Sequence, residues 1–176
     1  MEREGWSDYY TTGGANGVSG YRTISNNKVC WSGSSDCGSG NTEFGWKLPL
    51  PTTQEQIIYS PVLQDGAFIF NTTIPANNSP LACSNNLNTG WTMAVAPDSG
   101  GAFKTSFFGD SSNNFVTYLG SAVSGIQLGA VGSPSVVRAN GSPYLVNQTA
   151  AGTGHVDKIN PPGGTIGSRL TWQQVR

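Results

Sequence analysis

The sequence predicts an all-β chain of propeller-like antiparallel blade sheets: two to three blade-like units in an incomplete ring, with little or no helix. Three observations lead there. Apolar and β-branched runs are short and are separated by clusters of Gly, Pro, Asn and Asp. Between two such runs lies Gln64-Asp65-Gly66, and Asp-Gly supplies the positive φ values that a tight primed turn requires. No segment sustains a helical apolar period, and a single turn near residues 53–57 is the only helix expected.

In chain order, strands are expected at 7–12 and 21–25, around the Gly-rich breaks of the first 29 residues, and at 43–49, where Trp46 leads a run stopped by Pro49 and Pro51. Residues 57–63 and 67–74 form the two arms of the Asp65-Gly66 hairpin. A third strand at 91–95 follows a polar loop holding Cys83, and Pro97-Asp98-Ser99-Gly100-Gly101 then turns the chain. A further strand is expected at 115–119.

From residue 133 the pattern repeats. Ser133-Pro134-Ser135-Val136-Val137, Asn140-Gly141 and 142–147 follow the order of Ser60-Pro61-Val62-Leu63, Asp65-Gly66 and 67–71. Gly154 to Gly164 likewise echoes Gly90 to Gly101, strand and Gly-rich exit included. Repetition of strand units implies stacked or radially arranged sheets. Two or three units fall short of the roughly four blades that close a propeller. The chain is therefore expected to be part of a larger propeller, or to fold as packed sheets with exposed edges that a partner covers. The expected organisation is an N-terminal segment at 1–44 and a β-repeat region at 45–176, with units at about 45–101 and 102–176.

Composition narrows the function classes. Charged residues make up 11% of the 176, against about a quarter in ordinary globular domains, so the polar surface is Ser, Thr, Asn and Gly. This suits a secreted or cell-surface β-protein. A net charge of -1 without basic clusters leaves no electrostatic footprint for nucleic acid, which is not an expected partner. No run of about 20 apolar residues predicts a membrane span. The first residues lack the basic and apolar regions of a signal peptide, so either the protein stays inside or the chain is a mature or excised piece of a secreted one.

The cysteines favour the second alternative. Cys30 and Cys37 flank a short flexible loop that can close as a disulfide, leaving Cys83 either free and buried or paired outside this sequence. Trp31, inside that loop, is the residue expected at a partner contact. Trp46, Trp91 and Trp172 start or end strands and are expected to be structural anchors.

No catalytic residue is assigned. His155, the sole histidine, has Asp157 two residues on, on the same face of a strand. No Gly-x-Ser-x-Gly elbow surrounds a candidate nucleophile, so the two read as a polar pair at a strand end. No aromatic-flanked acid pair suggests a glycosidase. One histidine and bridged cysteines leave too few ligands for a transition-metal site, and no cofactor is expected. Asn71, Asn77, Asn140 and Asn147 each begin an Asn-x-Ser/Thr triplet and read as ordinary Asn-rich loops.

A set of ordered motifs then becomes specific. They are Gly45-Trp46-Lys47-Leu48-Pro49-Leu50 ahead of Glu55-Gln56-Ile57, the hairpin at 60–75, Cys83-Ser84 before Gly90-Trp91, Asp98-Ser99-Gly100-Gly101, the hairpin at 133–147, and the closing Arg169-Leu170-Thr171-Trp172. Together these resemble the C-terminal part of the PilY1-type proteins found at the tip of bacterial type IV pili, whose C-terminal domain is a modified β-propeller. The resemblance spans about residues 45–176; the first 44 do not align with it. It implies an extracellular location at the pilus tip, minor pilins or other tip proteins as partners, a role in pilus assembly and adhesion, and a host or surface ligand. The family's calcium loop, with its alternating Asp or Asn ligands and closing Glu, is absent from this sequence, so calcium binding does not carry over. Phe108-Gly109-Asp110 is only a partial echo of an integrin-binding triplet. The competing expectations are a carbohydrate-binding or phage-tail-like β-module unrelated to pili and, behind it, a hydrolase using His155.

Overall fold

A computed structural model of the chain describes residues 2–4, 7–10, 20–81, 85–110 and 112–163. These contain eleven strands: β1 Glu2–Glu4, β2 Ser7–Tyr10, β3 Tyr21–Ile24, β4 Gly45–Lys47, β5 Val62–Gln64, β6 Ala67–Asn71, β7 Trp91–Val95, β8 Val123–Gln127, β9 Ala130–Ala139, β10 Ser142–Thr149 and β11 Gly154–Lys158. The only helical element among the described residues is a short 3-10 turn, Gly38–Gly40. The chain is all-β, as its punctuation predicts.

Six strands form one antiparallel sheet in the order β2-β3-β8-β7-β6-β5, and three form a second in the order β11-β10-β9. A short parallel pair joins β1 to β4. The described strands close neither a barrel nor a ring; the sheets pack on one another and leave edges. The internal repeat is visible as two three-stranded meanders, β5-β6-β7 in the large sheet and β9-β10-β11 in the small one. Both hairpins turn through two residues of positive φ, Asp65 at 51° with Gly66 at 77°, and Asn140 at 49° with Gly141 at 75°. That is the backbone Asp-Gly and Asn-Gly were expected to provide.

Alternation along the central strands sends side chains to two apolar clusters, one on each face of the large sheet. Between the sheets lie Tyr21, Ala67, Ile69, Ala94, Val123 and Ile126, packed against Leu145 of β10 and against Phe107, Phe108 and Ile159. On the opposite face lie Ile24, Phe70, Trp91, Met93 and Val95, covered by Trp46, Leu48 and Leu50. Strand β7 is buried at all five positions, as a strand covered on both faces must be.

Two expected strands are shorter or absent. Of 57–63 only the last residues pair with β6: Gln56 exchanges hydrogen bonds with Thr73, Ile57 and Ile58 are exposed, and Pro61 has no N–H for a ladder. Residues 115–119 form no strand, because Tyr118 and Ser121 pair across a tight turn with Leu119 at φ 48° and Gly120 at φ 80°. The turn near residues 53–57 is not helical; the Glu55 N–H donates to the Thr52 carbonyl in a single turn. Strand β8 has no counterpart in the sequence reading, since its Ser124 and Gly125 break the apolar pattern. At Gly125 a Cβ would overlap the Met93 sulfur, so a larger residue there would have to displace the buried Met93 side chain.

Arg22 and Glu55 form a forked ion pair inside this fold, Nη1 to Oε1 at 2.8 Å and Nη2 to Oε2 at 3.1 Å, with both side chains 0% exposed. The guanidinium lies 4.2 Å from the centre of the Trp91 ring. The Thr72 hydroxyl donates to Glu55 Oε1 at 2.5 Å and accepts the Trp91 N–H at 3.0 Å, and the Thr52 N–H reaches Oε2 at 3.3 Å. Burial by itself would raise the Glu55 carboxyl; hydrogen bonds from Arg22 and Thr72, with the guanidinium charge, outweigh it and hold the group below its ordinary range.

Removing one partner of a buried pair strands the other charge, so Glu55→Ala should lower the unfolding free energy by about 3–5 kcal/mol, read as a lower urea midpoint at unchanged slope. A depressed folded pKa stabilises fully above the ordinary value of 4.5, and that contribution fades as pH falls through the folded pKa. Wild-type stability should therefore fall more steeply below that value than the stability of Glu55→Gln. Parallel slopes in urea titrations across acid pH would contradict the assignment.

Candidate functional site

The site begins at the disulfide. Cys30 and Cys37 are bonded, with Cα atoms 5.6 Å apart, and close the loop that carries Trp31. Hydrogen bonds fix this loop internally: Cys37 N–H to Asn41 Oδ1 at 2.8 Å, Asn41 Nδ2 to the Ser34 hydroxyl at 2.6 Å, and Lys28 Nζ to the Asp36 carbonyl at 2.8 Å. Its base is tied to Glu43 through the Ser32 N–H and the Cys30 N–H. Sequence spacing permits such a loop, and the side chain of Asn41 gives it a shape.

From the loop, Trp31 Nε1 donates to the Asp98 carbonyl at 3.2 Å. Trp46 Nε1 donates to the neighbouring Pro97 carbonyl at 3.0 Å. Two indoles thus hold the Pro-Asp-Ser-Gly-Gly turn from separate segments of chain. Gly100 allows this, since it sits at φ 61° and a Cβ there would stand inside the Trp46 indole. Trp31 is half-buried and stacks on no aromatic ring among the described residues, whereas Trp46 packs edge-on to Phe68. Trp91 is fully buried, in keeping with an anchor. Trp172 and Cys83 lie outside the described residues.

His155 and Asp157 meet as their shared face predicts, Nε2 to Oδ1 at 3.0 Å. Burial pushes the Asp157 carboxyl up, and the opposing charge and hydrogen bond of His155 do not cancel it. None of the hydrogen bonds of the described residues brings a serine hydroxyl to His155. Asp110 turns inward: its Oδ1 caps its own loop by accepting the N–H groups of Ser112 at 2.7 Å and Asn114 at 3.0 Å. The partial integrin-type triplet therefore presents no carboxylate on a loop tip.

Two of the four Asn-x-Ser/Thr triplets are not loops at all. Asn71 and Asn147, at 0% and 2% exposure, sit in β6 and β10 and bond to each other between the sheets, Nδ2 to Oδ1 at 3.0 Å. Thr92 donates to Asn71 Oδ1 at 2.8 Å, and Asn71 Nδ2 also reaches the Gly132 carbonyl at 3.0 Å. Each lies near the end of the second strand of its copy of the repeat, so the two copies meet through these amides.

The exposed edges are the remaining feature of functional interest. Strand β11 pairs with β10 on one side only. The Ile159 N–H donates to the Pro143 carbonyl, which fixes the phase of the antiparallel ladder. With the register Asn147 to His155 and Val146 to Val156, the backbone N–H and C=O of Val156 point away from β10. Beyond Lys158, whose carbonyl accepts the Gly109 N–H, the edge is covered. Before it, the edge is open among the described residues, and the Val156 side chain is 59% exposed.

Comparison of the chain with protein-family models, with curated proteins and with solved structures finds no match.

Arg22 and Glu55 were not singled out by the sequence reading. The one local signal is a lone Arg within the otherwise apolar or neutral run Tyr21-Arg22-Thr23-Ile24. The contact between Trp31 and Asp98 spans 67 residues and has no local signal.

Loss of the covalent loop should be measurable. Cys30→Ser with Cys37→Ser frees a loop whose closure is worth about 2 kcal/mol in the chain-entropy model. The expected outcome is a lower thermal midpoint with unchanged far-ultraviolet dichroism, equalled in the wild type by a reducing agent. An unshifted midpoint would show that the hydrogen bonds of Asn41 and Glu43 suffice to hold the loop.

Proposed function

We propose that this chain is a non-enzymatic structural and adhesion module of a type IV pilus tip protein, docking on minor pilins and supporting pilus assembly and surface attachment. One structural observation favours it most: the open edge of β11, where an exposed Val156 directs its main-chain donor and acceptor outward. An extended segment of a pilin can add there as a further strand, with main-chain hydrogen bonds supplying affinity and alternate side chains supplying selectivity. The resemblance over residues 45–176 names the partner class. A surface low in charge and a bonded Cys30–Cys37 pair are consistent with an extracellular location.

The module in this reading contributes shape rather than chemistry. A central strand buried on both faces gives a stiff body, and an open strand is an attachment point that a monomeric protein otherwise protects.

The purified chain should co-elute with minor pilins of the organism that encodes it. Val156→Pro removes the outward N–H while leaving the ladder to β10 intact, an edge position that Pro tolerates. Co-elution should be lost in Val156→Pro although circular dichroism is unchanged. A folded wild-type chain that co-elutes with none of these pilins contradicts the pilus reading. Equal co-elution of the variant contradicts the strand-addition mode.

A further inference from the structure

Beside Trp31 the surface opens into a cleft of about 360 Å³, lined by the indole together with Asn26, Asn27, Lys28, Asp36 and Asp98. A second cleft of about 410 Å³ shares Asn26 and Asp98 with the first and continues to Phe103. The two adjoin at Asn26, Asp98 and Ser99, so that this trough has Trp31 lining one part and Phe103 the other. Each lies within the size range of small-molecule sites, where a few convergent polar groups fix orientation.

We propose that this trough binds a neutral glycan, one pyranose ring stacking on Trp31 and its hydroxyls reading the polar floor. The site goes beyond strand addition at β11 and uses none of that edge. A pyranose offers an apolar C–H face and a rim of hydroxyls, each both donor and acceptor. Its complement is an aromatic plane flanked by groups that also donate and accept. Asn26 and Asn27 do both, while the carboxylates of Asp36 and Asp98 accept only.

The platform is preorganised. The bond from Trp31 Nε1 to the Asp98 carbonyl fixes the indole, and the disulfide fixes the backbone beneath it. Little side-chain freedom then remains to be lost when a ligand binds. Charge selects among sugars: the first cleft has two carboxylates against one ammonium, and Lys28 Nζ already donates to the Asp36 carbonyl. A uronic or sialic acid would meet net repulsion, whereas a neutral hexose or N-acetylhexosamine would not.

The test is calorimetric titration of the full chain with cellohexaose, mannohexaose and chitohexaose, with oligogalacturonate as the acidic control. At least one neutral oligosaccharide should bind saturably and oligogalacturonate should not. Trp31→Ala should weaken binding about tenfold or more, as loss of one aromatic platform does, and Trp31→Phe should recover most of it. Should Trp31→Ala misfold, the exposed Asn27→Ala decides, and is expected to weaken binding several-fold. The proposal is overturned if none of the three neutral oligosaccharides binds, if oligogalacturonate binds as tightly, if folded Trp31→Ala binds as the wild type does, or, where Trp31→Ala misfolds, if Asn27→Ala does.

Discussion

The buried pair of Arg22 and Glu55 is the constraint on which the arrangement of the rest depends. Arg22 stands on β3, near one end of the large sheet, and Glu55 on the irregular segment that crosses the sheet's outer face. A guanidinium in an apolar cluster is tolerable only with a carboxylate opposite and with its remaining surface occupied, here by the Trp91 ring. That requirement draws residues 52–56 down onto the sheet. It also explains why the following residues run past β6 with their isoleucines exposed and pair only from Val62 onward. The same carboxylate accepts from Thr72, whose hydroxyl accepts from the backbone of β7. One ion pair thus sets the relative positions of β3, β6, β7 and the covering segment.

A second polar device joins the sheets. Asn71, Asn147 and Thr92 satisfy one another in the interior, which makes their burial tolerable. A one-residue slip of either meander would unpair these amides as well as misplace its apolar face, so the network reinforces the register that packing already favours. Apolar contacts supply most of the driving force, and the amides specify which contacts form.

Much of this was legible in the residues, for local reasons. Asp65-Gly66 and Asn140-Gly141 specify their turns because positive φ is a property of those residues themselves. Residues 91–95 alternate nothing yet stand as a strand, because Gly90 and Pro97 bound them. The repeat was visible since it copies the turn residues and the order of the motifs around them. What escaped depends on distant partners. Glu55 reads as a surface acid until Arg22 is placed beside it, and Asn71 reads as a loop residue until Asn147 faces it. Trp31 was singled out from its loop alone, but its neighbours Asn26 and Asp98 could not be, since they come from either side of the large sheet's central strands in sequence. Strand β8 was hidden because Ser124 and Gly125 interrupt its apolar run, and the glycine leaves room for the distant Met93 side chain.

Strand β7 contributes Trp91, Met93 and Val95 to one apolar cluster and Ala94 to the other. The two copies of the repeat look like modules, but neither can melt alone without stripping one side of this strand. Loss of the small sheet would hydrate Ala94 and Thr92; loss of the covering segment would hydrate the tryptophan. The described core should therefore open as one unit, with the fully buried β7 amides expected among its slowest-exchanging protons. Such coupling means that force applied at one edge is resisted by the whole described core rather than by the nearest hairpin.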